Sequence, residues 1–371
     1  MKRLTAVLWA VVLLWTGAQA VEVSAPSAVL MEKETGAVLY AKDEHTPREP
    51  ASVTKIMTLL LTMEAIDSGQ LSYDTAITTS THASSMGGSQ IWLRENEQMT
   101  AEEMIKAVCV VSANDCAVAL AEHLAGSEEA FVDRMNRRAA ELGMADTVFK
   151  NATGLPAVGH VTSAYDIALM SRELILRHPD IRRFTTVWMD SLRNGTSLLV
   201  NTNKLLRTFQ GATGLKTGST GAAKYCLSAT AERDGMELIA VILKGDTSAQ
   251  RFEDARTLLG YGFSNYALYT PQPEEPLPTV PVTLGTAEEV SLVPEGGGAL
   301  LLDRSRISEL RQEIEVDEAA EAPVIEGQRL GTLRLYAGED LLSEIPLTAA
   351  EAVPRVTYGQ ILSRLLRTAF L

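Results

Sequence analysis

Ser52 and Lys55 stand three residues apart in Glu49-Pro-Ala-Ser-Val-Thr-Lys-Ile-Met-Thr58, and the run that follows, IMTLLLTMEAI, holds no charge before Glu64. On a helix the two side chains lie one turn apart on one face. A serine hydroxyl is a poor nucleophile until a base takes its proton. A lysine can be that base only if its pKa is lowered, which burial against the apolar run and a second nearby cation would both do. Alone, this spacing reads as a capping serine and a solvated lysine. Its weight comes from two further pieces. One is Val-Val-Ser112-Ala-Asn114-Asp, a polar break between helical segments; the other is Gly-Leu-Lys216-Thr217-Gly218-Ser219-Thr, at the start of a strand.

The elements that must position these residues are legible in outline. Residues 27–41, SAVLMEKETGAVLYA, read as two short strands around a Glu-Thr-Gly turn. From 52 to about 182 the pattern is mostly helical, with Thr100 and Glu103 forming a capping box at the start of 100–109. Strands return at 214–230 and 236–244, joined at Arg233-Asp234-Gly235, a hairpin turn signal. Strands from both ends of the first 265 residues thus flank a helical middle. The segment PQPEEPLPTVP then marks a stiff linker, placed at 269–281. Short alternating apolar segments over 282–356 suggest a small β-rich domain. Residues 271–371 contain no lysine, histidine or cysteine, so base or nucleophile chemistry belongs upstream.

Both termini carry address-like patterns. Lys2 and Arg3, a short apolar run and Ala18-Gln19-Ala20 make residues 1–20 a secretory signal peptide by pattern. The last fourteen residues, 358–371, place Ile361, Leu362, Leu365, Leu366, Ala369 and Phe370 on one helical face and Ser363, Arg364, Arg367 and Thr368 on the other. Such a helix reaches only about 21 Å, too short to span a bilayer but suited to its interface. The expected location is extracytoplasmic, peripheral on the outer face of the cytoplasmic membrane. A net charge of −14 without a basic block argues against nucleic acid as a partner. Cys109, Cys116 and Cys226 form neither a disulfide framework nor a zinc spacing and read as small buried thiols. No metal or other cofactor is expected.

In order and separation the three motifs are S-x-x-K, S-x-N and K-T-G, the set of class A β-lactamases and penicillin-binding proteins. With SSMGGSQIWL at 84–93, NATGLPAVGHVTSAYDIA at 151–168 and NTNKLL at 201–206, the chain resembles the low-molecular-weight penicillin-binding proteins, the serine-type D-alanyl-D-alanine carboxypeptidases. The resemblance implies an α+β fold. A β-lactamase/transpeptidase-like domain over 21–268, an antiparallel sheet with a helical subdomain, would be followed by the β-rich domain and the amphipathic helix. It implies release of the terminal D-alanine from peptidoglycan pentapeptide stems through an acyl-enzyme on Ser52, and covalent binding of β-lactam antibiotics.

By the same resemblance Lys55 is the base, helped by the cation of Lys216. Ser112 relays a proton to the leaving amine, and Asn114 holds Lys55 or the substrate backbone. The backbone N–H groups of Ser52 and Ser219 form the oxyanion hole. Lys216, Thr217, Gly218 and Arg251 contact the substrate, Arg251 as a partner for its carboxylate, while His160 reads as a structural hydrogen-bonder. Three other readings share the motifs: a D,D-endopeptidase, a class A-like β-lactamase, and a catalytically silent wall-binding protein. Against the β-lactamase, residues 142–172 contain no glutamate to activate a deacylating water.

Overall fold

The computed structural model describes residues 21–273 and 276–362. The expected signal peptide, and all of the C-terminal helix beyond residue 362, lie outside the described residues; residues 358–362 are helical.

Strands β1 (Ser27–Glu32) and β2 (Val38–Lys42) open the chain. A short 3-10 turn, Ala51–Thr54, leads directly into helix α1 (Lys55–Asp67). Helices α2 (Ala101–Val110), α3 (Asn114–Ala125), α4 (Glu128–Glu141) and α5 (Ala164–Arg177) complete the helical lobe. Then come β3 (Ala212–Thr220), β4 (Lys224–Arg233), β5 (Met236–Gly245) and helix α6 (Ser248–Asn265).

The five strands form one antiparallel sheet in the order β2-β1-β5-β4-β3. Strands β1 and β5 carry unbroken apolar runs, Ala28 to Met31 and Leu238 to Leu243, because both faces of the sheet are covered there. Val29 and Met31 of β1 and Ile239, Val241 and Leu243 of β5 join the helical lobe's core, whereas Ala28, Leu30, Leu238, Ala240 and Ile242 pack with Phe252, Leu258 and Leu259 of α6. The two-residue alternation of a strand thus divides one sheet between two cores. The Asp254 carboxylate on α6 accepts hydrogen bonds from the Ser24 and Ala25 amides and ties the start of the described chain to this layer.

The β4–β5 turn is the expected hairpin, with Asp234 at φ +51° and Gly235 at +77°. The capping box is present: the Thr100 hydroxyl accepts from the Glu103 amide, and the Glu103 carboxylate accepts from the Thr100 amide. Two expectations shift. The apolar stretch 214–230 divides into β3 and β4 around residues 221–223, and Lys216-Thr217-Gly218 falls inside β3 rather than at its start. Between α1 and α2 a small hairpin, Ala76–Thr78 with Gln98–Thr100, interrupts the helical pattern.

Beyond α6, Tyr266–Tyr269 pairs with Leu300–Asp303. The β-rich unit holds a four-stranded sheet of Leu292–Pro294, Asp340–Ala349, Arg329–Ala337 and Leu310–Val316, and a three-stranded one. Val280, Val290, Leu333 and Leu347 are among the residues of its separate core. Among the described residues no helix is long and apolar enough to cross a membrane.

Candidate active site

Ser52 sits in the 3-10 turn and not in regular helix, because Ala51 before it takes φ +52°. Two glycines pack closely against this turn. A Cβ on Gly154 would stand 1.8 Å from Ala51 O, and one on Gly218 would stand 2.9 Å from Ser52 N and 3.0 Å from Pro50 O and Val53 N. Only hydrogen fits at either position, so loop backbone and edge-strand backbone both reach the serine's own peptide.

Lys55 begins α1 and is fully buried. Its Nζ donates to Ser52 Oγ at 2.9 Å and to Thr153 O at 2.7 Å. That carbonyl is aimed by Asn151, whose Oδ1 accepts from Thr153 N, Thr153 Oγ1 and Gly154 N, in the way Asn side chains organise tight turns. Thr58 on the next turn of α1 donates to Ala152 O and pins the same loop. Burial lowers the Lys55 pKa well below its ordinary 10.5; the like charge of Lys216 lowers it further, and Asp115 opposes both. Lys216, also fully buried, is brought down to about 7, first by desolvation, with Cys109 opposing and the Arg251 charge assisting.

Ser112 lies in the break between α2 and α3, where it takes φ +65°, and Asn114 opens α3. Asn114 Nδ2 donates to Gly87 O at 2.6 Å and its amide to Ser89 O, which fixes the loop before α2 against the motif. Ser112 Oγ and Asn114 Oδ1 are buried without a protein hydrogen-bond partner. Such groups are expensive unless a second molecule completes them.

On β3, Lys216 Nζ donates to Thr217 O, and Thr217 Oγ1 shares a hydrogen bond with Thr202 Oγ1 at 2.7 Å. Arg251 lies against the strand and is 7% exposed. Its Nη1 donates to Gly218 O at 2.9 Å and to Cys226 O at 3.1 Å, and its guanidinium stacks on Phe252 and Tyr225. The arginine therefore braces the carbonyl that precedes Ser219. His160 is buried, pairs through Nε2 with Thr54 Oγ1, and has its pKa lowered to about 4, mainly by burial. Cys109, Cys116 and Cys226 are free and buried.

Several contributing residues carry no motif letter. Asn151, Thr153 and Gly154 lie in the stretch NATGLPAVGHVTSAYDIA, which carries the resemblance but assigns them no individual role. Thr202 lies in the Asn-Thr-Asn stretch, and Asp115 gave no sign. Asp115 is fully buried and accepts from the amides of Ile91, Leu93 and Cys116. Bounded by Pro50, Ala51, Gly154, Leu155, His160 and Thr220, a cavity of about 300 Å³ opens beside the turn that carries Ser52.

Comparison with known proteins places the chain among known families. Residues 15–247 match the family described as D-alanyl-D-alanine carboxypeptidase, and residues 271–355 match the penicillin-binding protein 5 C-terminal domain. The chain is 42% identical to D-alanyl-D-alanine carboxypeptidase DacF of Bacillus subtilis, over 92% of this chain and 88% of that protein. Among solved structures it resembles penicillin-binding protein 6B from Escherichia coli, with a TM-score of 0.73, 31% identity, and coverage of 88% of this chain and 95% of that one. It also resembles penicillin-binding protein D2 from Listeria monocytogenes in its ampicillin-bound form, with a TM-score of 0.60, 33% identity, and coverage of 65% and 98%. The chain belongs to the D-alanyl-D-alanine carboxypeptidase family of serine peptidases.

Proposed function

We propose that the enzyme removes the terminal D-alanine from peptidoglycan pentapeptide stems through an acyl-enzyme on Ser52. The observation that carries this reading is the fully buried Lys55, its Nζ 2.9 Å from Ser52 Oγ and its pKa lowered well below the ordinary lysine value. An amine in that state accepts the hydroxyl proton as Oγ bonds to the carbonyl carbon of the penultimate residue. The resulting oxyanion lies between the Ser52 and Ser219 N–H groups. As the tetrahedral centre collapses, the C–N bond breaks. The departing amine of D-alanine takes a proton that passes from the Lys55 ammonium through Ser112, whose unpartnered Oγ suits a relay. Water then attacks the ester carbonyl and gives its proton to Lys55, which regenerates the Ser52 hydroxyl.

Asn114 offers its unpartnered Oδ1 to the substrate backbone. Lys216 and Thr217 receive the terminal carboxylate, with Gly218 leaving the strand edge clear. Arg251 adds positive potential while holding the strand through Gly218 O.

β-Lactams acylate the same serine. With no glutamate in residues 142–172, water activation falls to Lys55 and Ser112 alone, and the penicilloyl adduct persists. Residues 21–268 form the catalytic domain, 269–281 the linker and 282–356 the β-rich domain. Residues 1–20 direct export, and 358–371 attach the protein to the outer face of the cytoplasmic membrane. Mass spectrometry of the protein with a diacetyl tripeptide ending in two D-alanines, and separately with penicillin, tests the chemistry. Free D-alanine and a slowly lost adduct on Ser52 are expected; rapid penicillin turnover, or no D-alanine, would contradict it. Truncation at Pro354 that leaves membrane association unchanged removes the attachment.

A further inference from the structure

Trp92 is 74% exposed, while Ile91 and Leu93 on either side are 6% and 4% exposed. Its φ is +63°, a conformation a bulky residue adopts only when its surroundings impose it. Here they do. The amides of Ile91 and Leu93 both donate to Asp115 Oδ2, at 3.1 and 3.0 Å. From the other side Arg193 Nη1 donates to Ile91 O at 2.9 Å, and Arg193 is itself held by Glu97 and Ser197. With both neighbours turned inward and tied, the indole is held out in solvent. Beside it is a cavity of about 630 Å³, bounded by Trp92, Arg94, Glu95, Asn96, Arg193 and Ser197.

A rigid, exposed indole rimmed by charged and amide side chains has the chemistry of a sugar site. The ring offers a flat apolar face to the C–H side of a pyranose, and the rim offers partners for hydroxyl and acetamido groups. A peptide groove would instead present an unpaired strand edge, and residues 91–97 form no strand.

The position fits the rest of the substrate. Asp115 follows Asn114 directly, and Asn114 is bonded to Gly87 and Ser89, so the segment carrying Trp92 is tied to the turn that presents Ser112 and Asn114. An extended five-residue stem spans at most about 17 Å. Whatever carries the stem must come down within that reach of Ser52.

We propose that Trp92 and the adjoining cavity bind the amino-sugar unit of the glycan to which the stem is attached, so that glycan-linked stems are favoured over free peptides. This inference rests on the carboxypeptidase reading and extends it to the distal end of the substrate.

Three substrates sharing one D-alanyl-D-alanine terminus test it: the diacetyl tripeptide, the free pentapeptide, and the pentapeptide linked to its N-acetylated disaccharide. In Trp92→Ala, kcat/KM falls roughly tenfold on the disaccharide-linked substrate, chiefly through KM, and the loss is confined to that substrate. Trp92→Phe, which keeps a ring, recovers most of it. A similar loss on the free pentapeptide, an equal loss on all three, or no loss on any would each overturn the proposal. The disaccharide alone, titrated against the wild-type protein, shifts the Trp92 indole N–H resonance, identified by its absence in Trp92→Ala; an unmoved resonance overturns the site. That measurement needs no turnover, so it separates failure of this site from failure of the carboxypeptidase reading.

Discussion

Gly218→Ala isolates the close approach between the edge strand and the turn that carries Ser52. Gly218 lies in the extended backbone of β3, so alanine meets no conformational obstacle and the whole effect comes from contact. The new methyl would meet Ser52 N at 2.9 Å and Pro50 O and Val53 N at 3.0 Å, against an ordinary contact of about 3.5 Å. All three are backbone atoms, and none can swing aside. The strand resists retreat because Gly218 pairs opposite Cys226 and its carbonyl is held by Arg251. The turn resists because Gly154 is also packed against it. A separation of roughly 0.5 Å must therefore open between the Ser52 amide and β3. If those two backbones hold the oxyanion, the loss approaches that of one donor, about 3 kcal/mol or roughly 10²-fold. We expect kcat/KM on the diacetyl tripeptide and the second-order rate of penicillin acylation to fall together by that factor. The melting temperature should move by only about 5 °C, since overpacking of this size costs about 1–3 kcal/mol. The control is Gly126→Ala, at φ +85° with nothing within 4 Å of an added Cβ; it loses stability and keeps activity. A Gly218→Ala enzyme that acylates within about threefold of wild type would refute the reasoning.

Lys216 has a folded-state pKa of about 7 against an ordinary 10.5, so between those values the unfolded chain binds more protons and stability rises with pH. Lys216→Met should abolish activity, raise stability at pH 7 by on the order of 4 kcal/mol, and flatten the pH dependence over that window in urea titrations; a less stable variant would count against the burial account. His160, with its pKa lowered to about 4 from 6.5, makes stability fall as pH drops through that interval, and His160→Gln should remove this acid sensitivity. Asn151→Ala releases the Thr153 carbonyl that receives Lys55, so acylation should slow by about tenfold or more, measured by stopped-flow with a fluorescent penicillin. Unchanged acylation would mean that the Asn151 turn does not position the base.

The parts of the site that were legible in sequence are those whose chemistry is intrinsic to residue type. Ser52, Lys55, Ser112, Asn114, Lys216 and Gly218 declare themselves by type and spacing, and the 233–235 turn and the Thr100 cap by local backbone preference. What stayed hidden depends on contacts made only in the folded state. Nothing in Pro-Ala-Ser announces that Ala51 turns to φ +52°, since that conformation is imposed by Gly154 pressing on its carbonyl. The resemblance points Arg251 at the substrate carboxylate; the fold in addition commits its Nη1 to two strand carbonyls, a use no local pattern encodes. The start of β3 was misplaced because Gly211-Ala-Thr-Gly214 has the composition of a turn, yet Ala212 pairs with Ala231 and brings it into the sheet. Asp115 looks like any aspartate at a helix start until three amides converge on it.

The sheet order has a further outcome for a polypeptide that emerges from the ribosome amino end first. Ser27 lies opposite Leu243, and β3, which carries Lys216, is joined to β1 only through β4 and β5. A nascent chain that stops short of β5 already contains Ser52 and Lys55, but the apolar enclosure and the neighbouring charge that discharge the amine have yet to assemble. Under the proposed mechanism that lysine would stay hydrated and protonated, so only a chain that has completed its sheet would react with a β-lactam.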